Sequence, residues 1–252
     1  AAVDALAKAG LTRLAVRGLV ATQKSTHIRG VFGLAVAGQR GLALCGDGAG
    51  YVTMRKLESG DTVWSKQPLG EGKMISCVAL GGDFAAVSAA YDPTLAILDV
   101  KTGELVQAPV VLPKSAKRIT SMAIIAQKTR GGGQSTLFLA SNDGVVRVAS
   151  SDTRRGKEFV VVREAKLHDP TSGMSASERA SLALSANGQT LASTGFNDSS
   201  ITIHDALSGE LIRKIVIGKG KDLHPCSLAL SGDGTSVAVG GSRFLGVRVY
   251  ST

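Results

Sequence analysis

Short runs in which apolar and polar residues alternate, separated by glycine, asparagine, aspartate or serine, fill most of the chain. Residues 181–218 show the pattern most clearly, with runs at Ser181–Ser185, Thr190–Thr194, Ile201–Asp205 and Leu211–Ile217. Alternation over four to eight residues is typical of half-buried β-strands, and none of the runs has the length of an ordinary helix. The pattern therefore predicts a four-stranded antiparallel meander in this part of the chain.

The same pattern recurs along the chain. An apolar triplet opens each copy, beginning at Leu34, Val78, Met122, Leu182 and Leu228, with spacings of 44, 44, 60 and 46 residues. A second marker is a small residue followed by glycine and an acid, at residues 59–61, 102–104 and 208–210; residues 155–157 occupy the place of a missing copy. Such periods indicate a repeat architecture. We predict one domain over residues 1–252, with repeat units at about 27–68, 73–110, 117–164, 178–218 and 224–252.

Two of these units resemble the WD40 repeat. They are Leu182–Glu210, which reads LALSANGQTLASTGFNDSSITIHDALSGE, and Leu228–Tyr250, which reads LALSGDGTSVAVGGSRFLGVRVY. The resemblance covers about residues 27–252 and implies an all-β fold, a WD40-like β-propeller of about five four-stranded antiparallel blades. Other residues replace the tryptophan-aspartate dipeptide of the family, and only Asp99 and Asp205 keep its acid. Most of the hydrogen-bonded tetrad of the family is therefore expected to be absent.

The fifth unit ends after its third predicted strand, which would leave an open sheet edge. Thr12–Ala21 alternates, with Leu14, Val16 and Val20 sharing one parity. We expect this segment to be the N-terminal strand that closes the last blade, so that residues 1–22 form a lead-in and closing strand. Two alternatives remain: the chain could be part of a larger ring, and residues 1–24, with four basic residues and one acid, also resemble an organellar transit segment.

Catalytic and metal-binding motifs are hard to find in this sequence. Three of the four histidines, His27, His168 and His224, lie at the entry points of repeat units, and His204 takes the strand position of the family's tryptophan, so we expect structural roles for them. Neither GxSxG nor a phosphate-binding loop occurs. Three cysteines without a CxxC pair favour free thiols in a reducing compartment. No run approaches the roughly 18 apolar residues of a membrane span. We expect no catalysis, cofactor, metal or membrane contact, and an intracellular protein, cytoplasmic or alternatively mitochondrial.

Positive charge is concentrated in one part of the chain. The net charge is +9, and residues 113–166 hold 11 basic and four acidic residues. A basic surface suits phosphate groups, whereas the scarcity of nearby aromatic residues argues against stacking on bases. A solvated rim without a partner is the alternative. The candidate partner-binding residues are Lys114, Lys117, Arg118, Lys128, Arg130, Arg154, Arg155, Lys157, Arg163 and Lys166.

These observations favour a binding protein over an enzyme. We expect a non-catalytic WD40-like scaffold whose rims contact protein subunits of a larger intracellular complex. The alternative is a ribosome- or RNA-associated propeller subunit that contacts the phosphate backbone through the basic third unit.

Overall fold

The computed structural model describes residues 30–129, 132–152, 158–169, 180–195, 199–218, 224–241 and 246–252. Within these residues the chain forms 19 β-strands, one 3-10 turn at Gly38–Arg40 and no α-helix. All strands belong to five sheets of three or four strands, and every pairing is antiparallel. The prediction of an all-β chain built from small antiparallel sheets is therefore confirmed. Within this part of the chain, no helix has the length and apolarity needed to cross a membrane.

Each sheet takes its strands in chain order, as a meander. The first two sheets consist of β1 (Val31–Ala37), β2 (Leu42–Asp47), β3 (Val52–Lys56) and β4 (Thr62–Lys66), then β5 (Ile75–Gly81), β6 (Phe84–Ala89), β7 (Thr94–Asp99) and β8 (Val110–Val111). The third consists of β9 (Ile119–Thr129), β10 (Gly132–Ser141), β11 (Val145–Asp152) and β12 (Val160–Lys166). The last two consist of β13 (Ser181–Leu184), β14 (Thr190–Thr194), β15 (Ser200–Asp205) and β16 (Leu211–Val216), then β17 (Pro225–Leu230), β18 (Ser236–Gly241) and β19 (Arg248–Ser251).

The turns between third and fourth strands explain the periodic glycine marker. Gly60, Gly103 and Gly209 have φ angles of 74°, 71° and 73°, in the left-handed region that favours glycine. Each glycine N–H donates to the carbonyl oxygen four residues earlier, at 2.8 to 2.9 Å. In the second and fourth sheets the preceding Asp99 and Asp205 accept backbone N–H groups of the same turn. The predicted counterpart at residues 155–157 lies outside the described residues.

Consecutive sheets pack face to face. Four apolar cores lie in the described residues, one between each pair of consecutive sheets. Representative members are Leu44 and Val87 between the first two sheets and Ile203 and Val239 between the last two. The first strands of consecutive sheets also lie side by side. Each sheet therefore contacts the next both along its first strand and through the apolar core between their faces.

Side-chain hydrogen bonds join neighbouring first strands. Ser121 Oγ accepts the Leu182 N–H at 3.0 Å, and Ser181 Oγ accepts the Leu228 N–H at 3.2 Å. Farther out, the indole Nε1–H of Trp64 in β4 donates to Val100 O of the second sheet at 2.8 Å. These bonds tie the first sheet to the second, the third to the fourth and the fourth to the fifth.

The first sheet differs from the others at the opening residue of its apolar triplet. Val78, Met122 and Leu182 are buried in cores against the preceding sheet, whereas Leu34 is 66% exposed. At the other end of the row, the fifth sheet has three strands among the described residues, and Val249 on its outer strand is exposed. The predicted closing strand, Thr12–Ala21, lies outside the described residues.

Candidate binding site at the mouth of the central cavity

The first strands of all five sheets border one cavity. It has a volume of about 360 Å³ and lies where these strands begin. Hydroxyl and thiol groups line it, while no described carboxylate or imidazole does. One short stretch of each first strand contributes: Phe32–Leu34, Ser76–Val78, Thr120–Ser121, Ala180–Ser181 and Cys226–Ser227.

Most hydroxyl groups around this central cavity hold the sheets together. Ser121 and Ser181 accept N–H groups of the next first strand, as described above, and Thr120 Oγ1 donates to Ala180 O at 2.9 Å. A hydroxyl group that already bridges two strands is poorly placed to act as a nucleophile, since no described base contacts it. The lining therefore has a structural role in joining the sheets.

A smaller pocket of about 80 Å³ opens beside the central cavity and shares Phe32, Ser76 and Thr120 with it. Phe32 is 51% exposed and Tyr91 is 55% exposed, and they are the only strongly exposed aromatic side chains of the described residues. Both line this pocket, although the whole chain has only six phenylalanines and three tyrosines. Met74 and Ile119 add apolar surface. We refer to this site as the Phe32–Tyr91 pocket.

A bulge in the first sheet positions Phe32. Val31 pairs with Asp47 and Gly33 pairs with Gly46, so that Phe32 has no residue opposite it in the ladder. A β-bulge of this kind re-aims the side chain that it carries, and bulges are over-represented next to functional sites. Phe32 consequently lies at the boundary of both cavities.

A strained turn positions Tyr91. Its φ of 58° makes it the only non-glycine residue with a left-handed backbone in the described part of the chain. A bulky residue in this region costs free energy that the surroundings must supply. The turn is held by the Ala90 N–H, which donates to Met74 O at 2.8 Å, and by an ion pair between Lys73 and Asp92. Strain of this kind is commonly found at binding sites.

Arg118 places a positive charge beside the aromatic walls. Its side chain is buried and lines the Phe32–Tyr91 pocket, with Cζ 5.7 Å from the centroid of the Tyr91 ring. At this distance the guanidinium group and the ring attract each other. The Arg118 N–H donates to Asn142 Oδ1 at 3.0 Å, which fixes the backbone. Lys114 and Lys117 are exposed on the same connection between β8 and β9.

The structure divides the predicted basic residues between two ends of the third sheet. Lys114, Lys117 and Arg118 precede β9, and Lys166 pairs with Val145 beside the β10–β11 turn, at the same end. Lys128 lies at the far end of β9, where it pairs with Gly133. Arg163 lies along β12, and its guanidinium group donates to Ser208 O of the fourth sheet. The remaining four, Arg130, Arg154, Arg155 and Lys157, lie outside the described residues.

Two of the histidines are buried between the third and fourth sheets. His168 Nε2 lies 2.8 Å from Ser193 Oγ, which is 2.8 Å from Thr202 Oγ1. His204 Nδ1 lies 3.3 Å from Gly209 O. Burial lowers the pKa of His204 and outweighs the opposite effect of this hydrogen bond. These contacts agree with the structural role expected for His204, while His27 lies outside the described residues.

The cysteines lie in β2, β5 and β17 as free thiols, and burial raises the pKa of Cys45. In the described part of the chain, no three side chains of histidine, cysteine, aspartate or glutamate come close enough to hold a metal ion.

Of the eight residues that line the Phe32–Tyr91 pocket, sequence reasoning selected only Arg118, and it missed Phe32, Met74 and Tyr91 among the other seven. The sequence carries a weak signal for two of them. Tyr91 precedes Asp92-Pro93, so a large aromatic residue stands within a turn, and Phe32 lies immediately before Gly33, which precedes the first triplet. Aromatic residues in turns are exposed more often than those within strands, so Tyr91 could have been selected as an exposed aromatic residue.

Comparison with models of known protein families finds no match, and comparison with curated proteins finds no significant match either.

Proposed function

We propose that the five sheets are the blades of a WD40-like β-propeller that serves as a non-catalytic scaffold for protein partners. Three features support the radial arrangement: one core between each pair of consecutive sheets, first strands that lie side by side, and a single cavity bordered by all five first strands. Blades that pack in this way protect most sheet edges by repetition around an axis.

The closing strand of this propeller would be Thr12–Ala21. The closing strand would run antiparallel to β19, so it would end at the end of the sheets where the first strands begin. Because β1 is itself a first strand, the closing strand would end near the start of β1. The connection to β1 would then be residues 22–30, similar in length to the connections 67–74 and 217–224. A fifth blade completed in this way would give exposed Leu34 the neighbouring sheet that its counterparts already have.

Truncation tests this closure. Deleting residues 1–22 should lower the melting temperature and speed hydrogen exchange at residues 247–251, because β19 would lose its neighbour. Deleting only residues 1–9 is the matched control and should change neither quantity. Equal exchange in both truncated proteins would contradict closure by this segment.

The scaffold role rests on one observation: the only two strongly exposed aromatic side chains of the described residues, Phe32 and Tyr91, line the same pocket. Aromatic side chains dominate the energetics of many protein interfaces. They are held here by a bulge and a fixed turn, so binding would cost little ordering entropy. We therefore place the main partner surface at this end of the propeller.

Affinity purification of variants tests this function. The wild-type chain should retain a set of partners at fixed stoichiometry from native lysate, and the double variant Phe32→Ser, Tyr91→Asn should lose it. Leu211→Ser, which changes an equally exposed apolar residue on β16, is the matched control and should retain the set. Recovery of free monomer only, or of the same set with all three proteins, would reject the scaffold function.

An RNA-contacting role is the second candidate, since Lys114, Lys117 and Lys166 are exposed at one end of the third sheet. Binding to phosphates would weaken steeply as salt rises, and reversal of these lysines to glutamate should reduce the salt dependence. Reversal of Arg154, Arg155 and Lys157, which lie outside the described residues, should abolish binding if these three residues form the contact. Affinity that does not change with salt would reject this candidate.

A further inference from the structure

We infer that the Phe32–Tyr91 pocket receives one aliphatic side chain from an acidic, extended segment of a partner protein. This inference rests on the proposed scaffold function, because it specifies the chemistry of the partner that the scaffold recognises. It combines three properties of the pocket: its size, the nature of its walls and the charge around its mouth.

The size of the pocket restricts what can enter. Sites for cofactors, nucleotides and drug-sized ligands occupy roughly 300–1,000 Å³. A pocket of about 80 Å³ is too small for such groups, but it can hold a single side chain of moderate size. Phe32, Met74, Tyr91 and Ile119 form apolar walls, so an aliphatic side chain gains more from burial there than a polar one does.

The charge around the pocket favours an acidic segment. Arg118 lines the pocket itself, and Lys114 and Lys117 are exposed on the connection that leads to it. Among nearby carboxylates, Asp92 is paired with Lys73. Glu71 is exposed on the connection before β5, and the buried Asp47 pairs with Val31 next to Phe32. Arg118, Lys114 and Lys117 outnumber these two carboxylates.

The carboxylate of the β10–β11 turn does not offset this charge. Asp143 and Glu164 both pair with the buried Arg147, and the exposed Lys166 lies at the same end of the third sheet, so two cationic groups offset these two carboxylates. Acidic residues on either side of the inserted side chain would meet cationic groups, while a basic segment would meet repulsion.

The fixed position of the aromatic rings favours recognition of a short segment. The left-handed backbone at Tyr91 and the contact of its ring with Arg118 hold one wall of the pocket in place before the partner arrives. A short extended peptide has little surface with which to offset ordering costs, so a pre-formed pocket helps it most.

The test is selection from a display library of random nine-residue peptides with the full chain as bait. The selected peptides should carry net negative charge and one leucine, isoleucine, valine or methionine. A fluorescent copy of the dominant sequence should then bind Phe32→Ser and Tyr91→Asn about tenfold or more weakly than wild type, as expected when an interface anchor is removed. Asparagine tolerates the left-handed backbone, so Tyr91→Asn keeps the turn.

Two matched controls separate this site from general surface effects. Leu211→Ser removes an exposed apolar side chain elsewhere, and Lys101→Glu reverses a lysine at the opposite end of the second sheet; both should bind like wild type. Lys114→Glu with Lys117→Glu should weaken binding, and the loss should shrink at high salt.

The possible outcomes distinguish this inference from the proposed function. Basic or uncharged selected peptides, or binding that Phe32→Ser leaves unchanged, would overturn the inference. If the lysate assembly nevertheless depends on Phe32 and Tyr91, the scaffold function stands without it. If neither peptides nor lysate partners depend on the pocket, both fall, and salt-sensitive binding to a single-stranded oligonucleotide would then support the RNA-contacting role.

Discussion

Replacing Arg147 with methionine should lower the free energy of unfolding by about 3 kcal/mol at neutral pH. The side chain of Arg147, on β11 of the third sheet, is 2% exposed. It donates to Ser141 Oγ at 2.5 Å, to Asp143 Oδ2 at 2.8 Å and to Glu164 Oε1 at 2.9 Å. One side chain therefore ties the β10–β11 turn to β12.

The magnitude follows from what the substitution leaves behind. Removing one member of a buried ion pair typically costs about 3–5 kcal/mol, because the other charge stays buried without its partner. Asp143 is such a charge, whereas the half-exposed Glu164 is screened by water and adds less than about 1 kcal/mol. Methionine fills most of the vacated volume, so the cavity contribution is small and the lower end of the range applies.

The effect should depend on pH in a defined direction. Burial raises the pKa of Asp143, but hydrogen bonds from Arg147 and Ser141 outweigh it, and the pKa lies below its ordinary value. A carboxyl with a lowered folded pKa stabilises the fold fully above the unfolded pKa of about 3.9, and this stabilisation is lost as the pH falls through the folded pKa. The difference between wild type and Arg147→Met should therefore be largest near pH 7 and shrink below about pH 4.

Urea unfolding, followed by far-UV circular dichroism and by the fluorescence of the single tryptophan, Trp64, measures this difference. Arg213→Met is the matched control and should cost less than about 1 kcal/mol, since Arg213 is exposed and makes one hydrogen bond, to Ser251 O. Adding Asp143→Asn to Arg147→Met should recover much of the loss. A loss below about 1 kcal/mol for Arg147→Met, or no recovery in the double variant, would refute this reasoning.

Three further predictions concern other parts of the fold. Gly103→Ala should lower the free energy of unfolding in urea by about 2 kcal/mol or more, because the residue has a left-handed backbone and its Cβ would lie 2.7 Å from the Trp64 ring. Gly41 has a similar backbone with open space around its Cβ position, so Gly41→Ala should lower the free energy of unfolding by about half as much. Trp64→Phe should lower the free energy of unfolding by about 1–3 kcal/mol in urea unfolding followed by far-UV circular dichroism alone, because Val100 O loses its buried donor; a neutral result would contradict the role of this bond. Burial lowers the pKa of His204 in the folded chain, so as the pH falls the unfolded chain binds a proton at this histidine before the folded chain does. The melting temperature should therefore fall as the pH drops below about 6.5, and His204→Phe should reduce this dependence of the melting temperature on pH.

Local features of the fold could be predicted because local sequence determines them. The glycines at 60, 103 and 209 are required by a left-handed turn position, and the apolar triplets mark the first strands of the sheets. Both signals act over a few residues, so no knowledge of distant contacts is needed to detect them. Their agreement in several units made the sheet pattern predictable.

The candidate site as a whole could not be predicted, because residues from three sheets form it. Phe32 comes from a bulge in the first sheet, Tyr91 from a turn in the second, and Arg118 from the connection that leads to the third. On charge alone, Arg118 was predicted to belong to the same basic surface as the exposed lysines. In the structure its ring contact with Tyr91 and its backbone hydrogen bond to Asn142 accompany a buried side chain that lines the pocket. Such a change of role depends on tertiary contacts that sequence spacing does not encode.

The weakness of the repeat signature has a physical origin in the same structure. The turn between second and third strands needs acceptors for its N–H groups, and Asp47 supplies them in the first sheet, accepting from Ala49 and Tyr51 at 2.9 and 2.8 Å. In the third sheet Asp143 accepts the Val145 N–H and also binds Arg147. The acceptor is an aspartate in each case, and in the second sheet Asp92 accepts the Thr94 N–H in the same way. Its position differs, because Asp92 and Asp143 lie two residues before the third strand whereas Asp47 is the last residue of the second strand. The turn is thus kept while the position of the acceptor shifts, so the spacing of the units persists where the residue pattern does not.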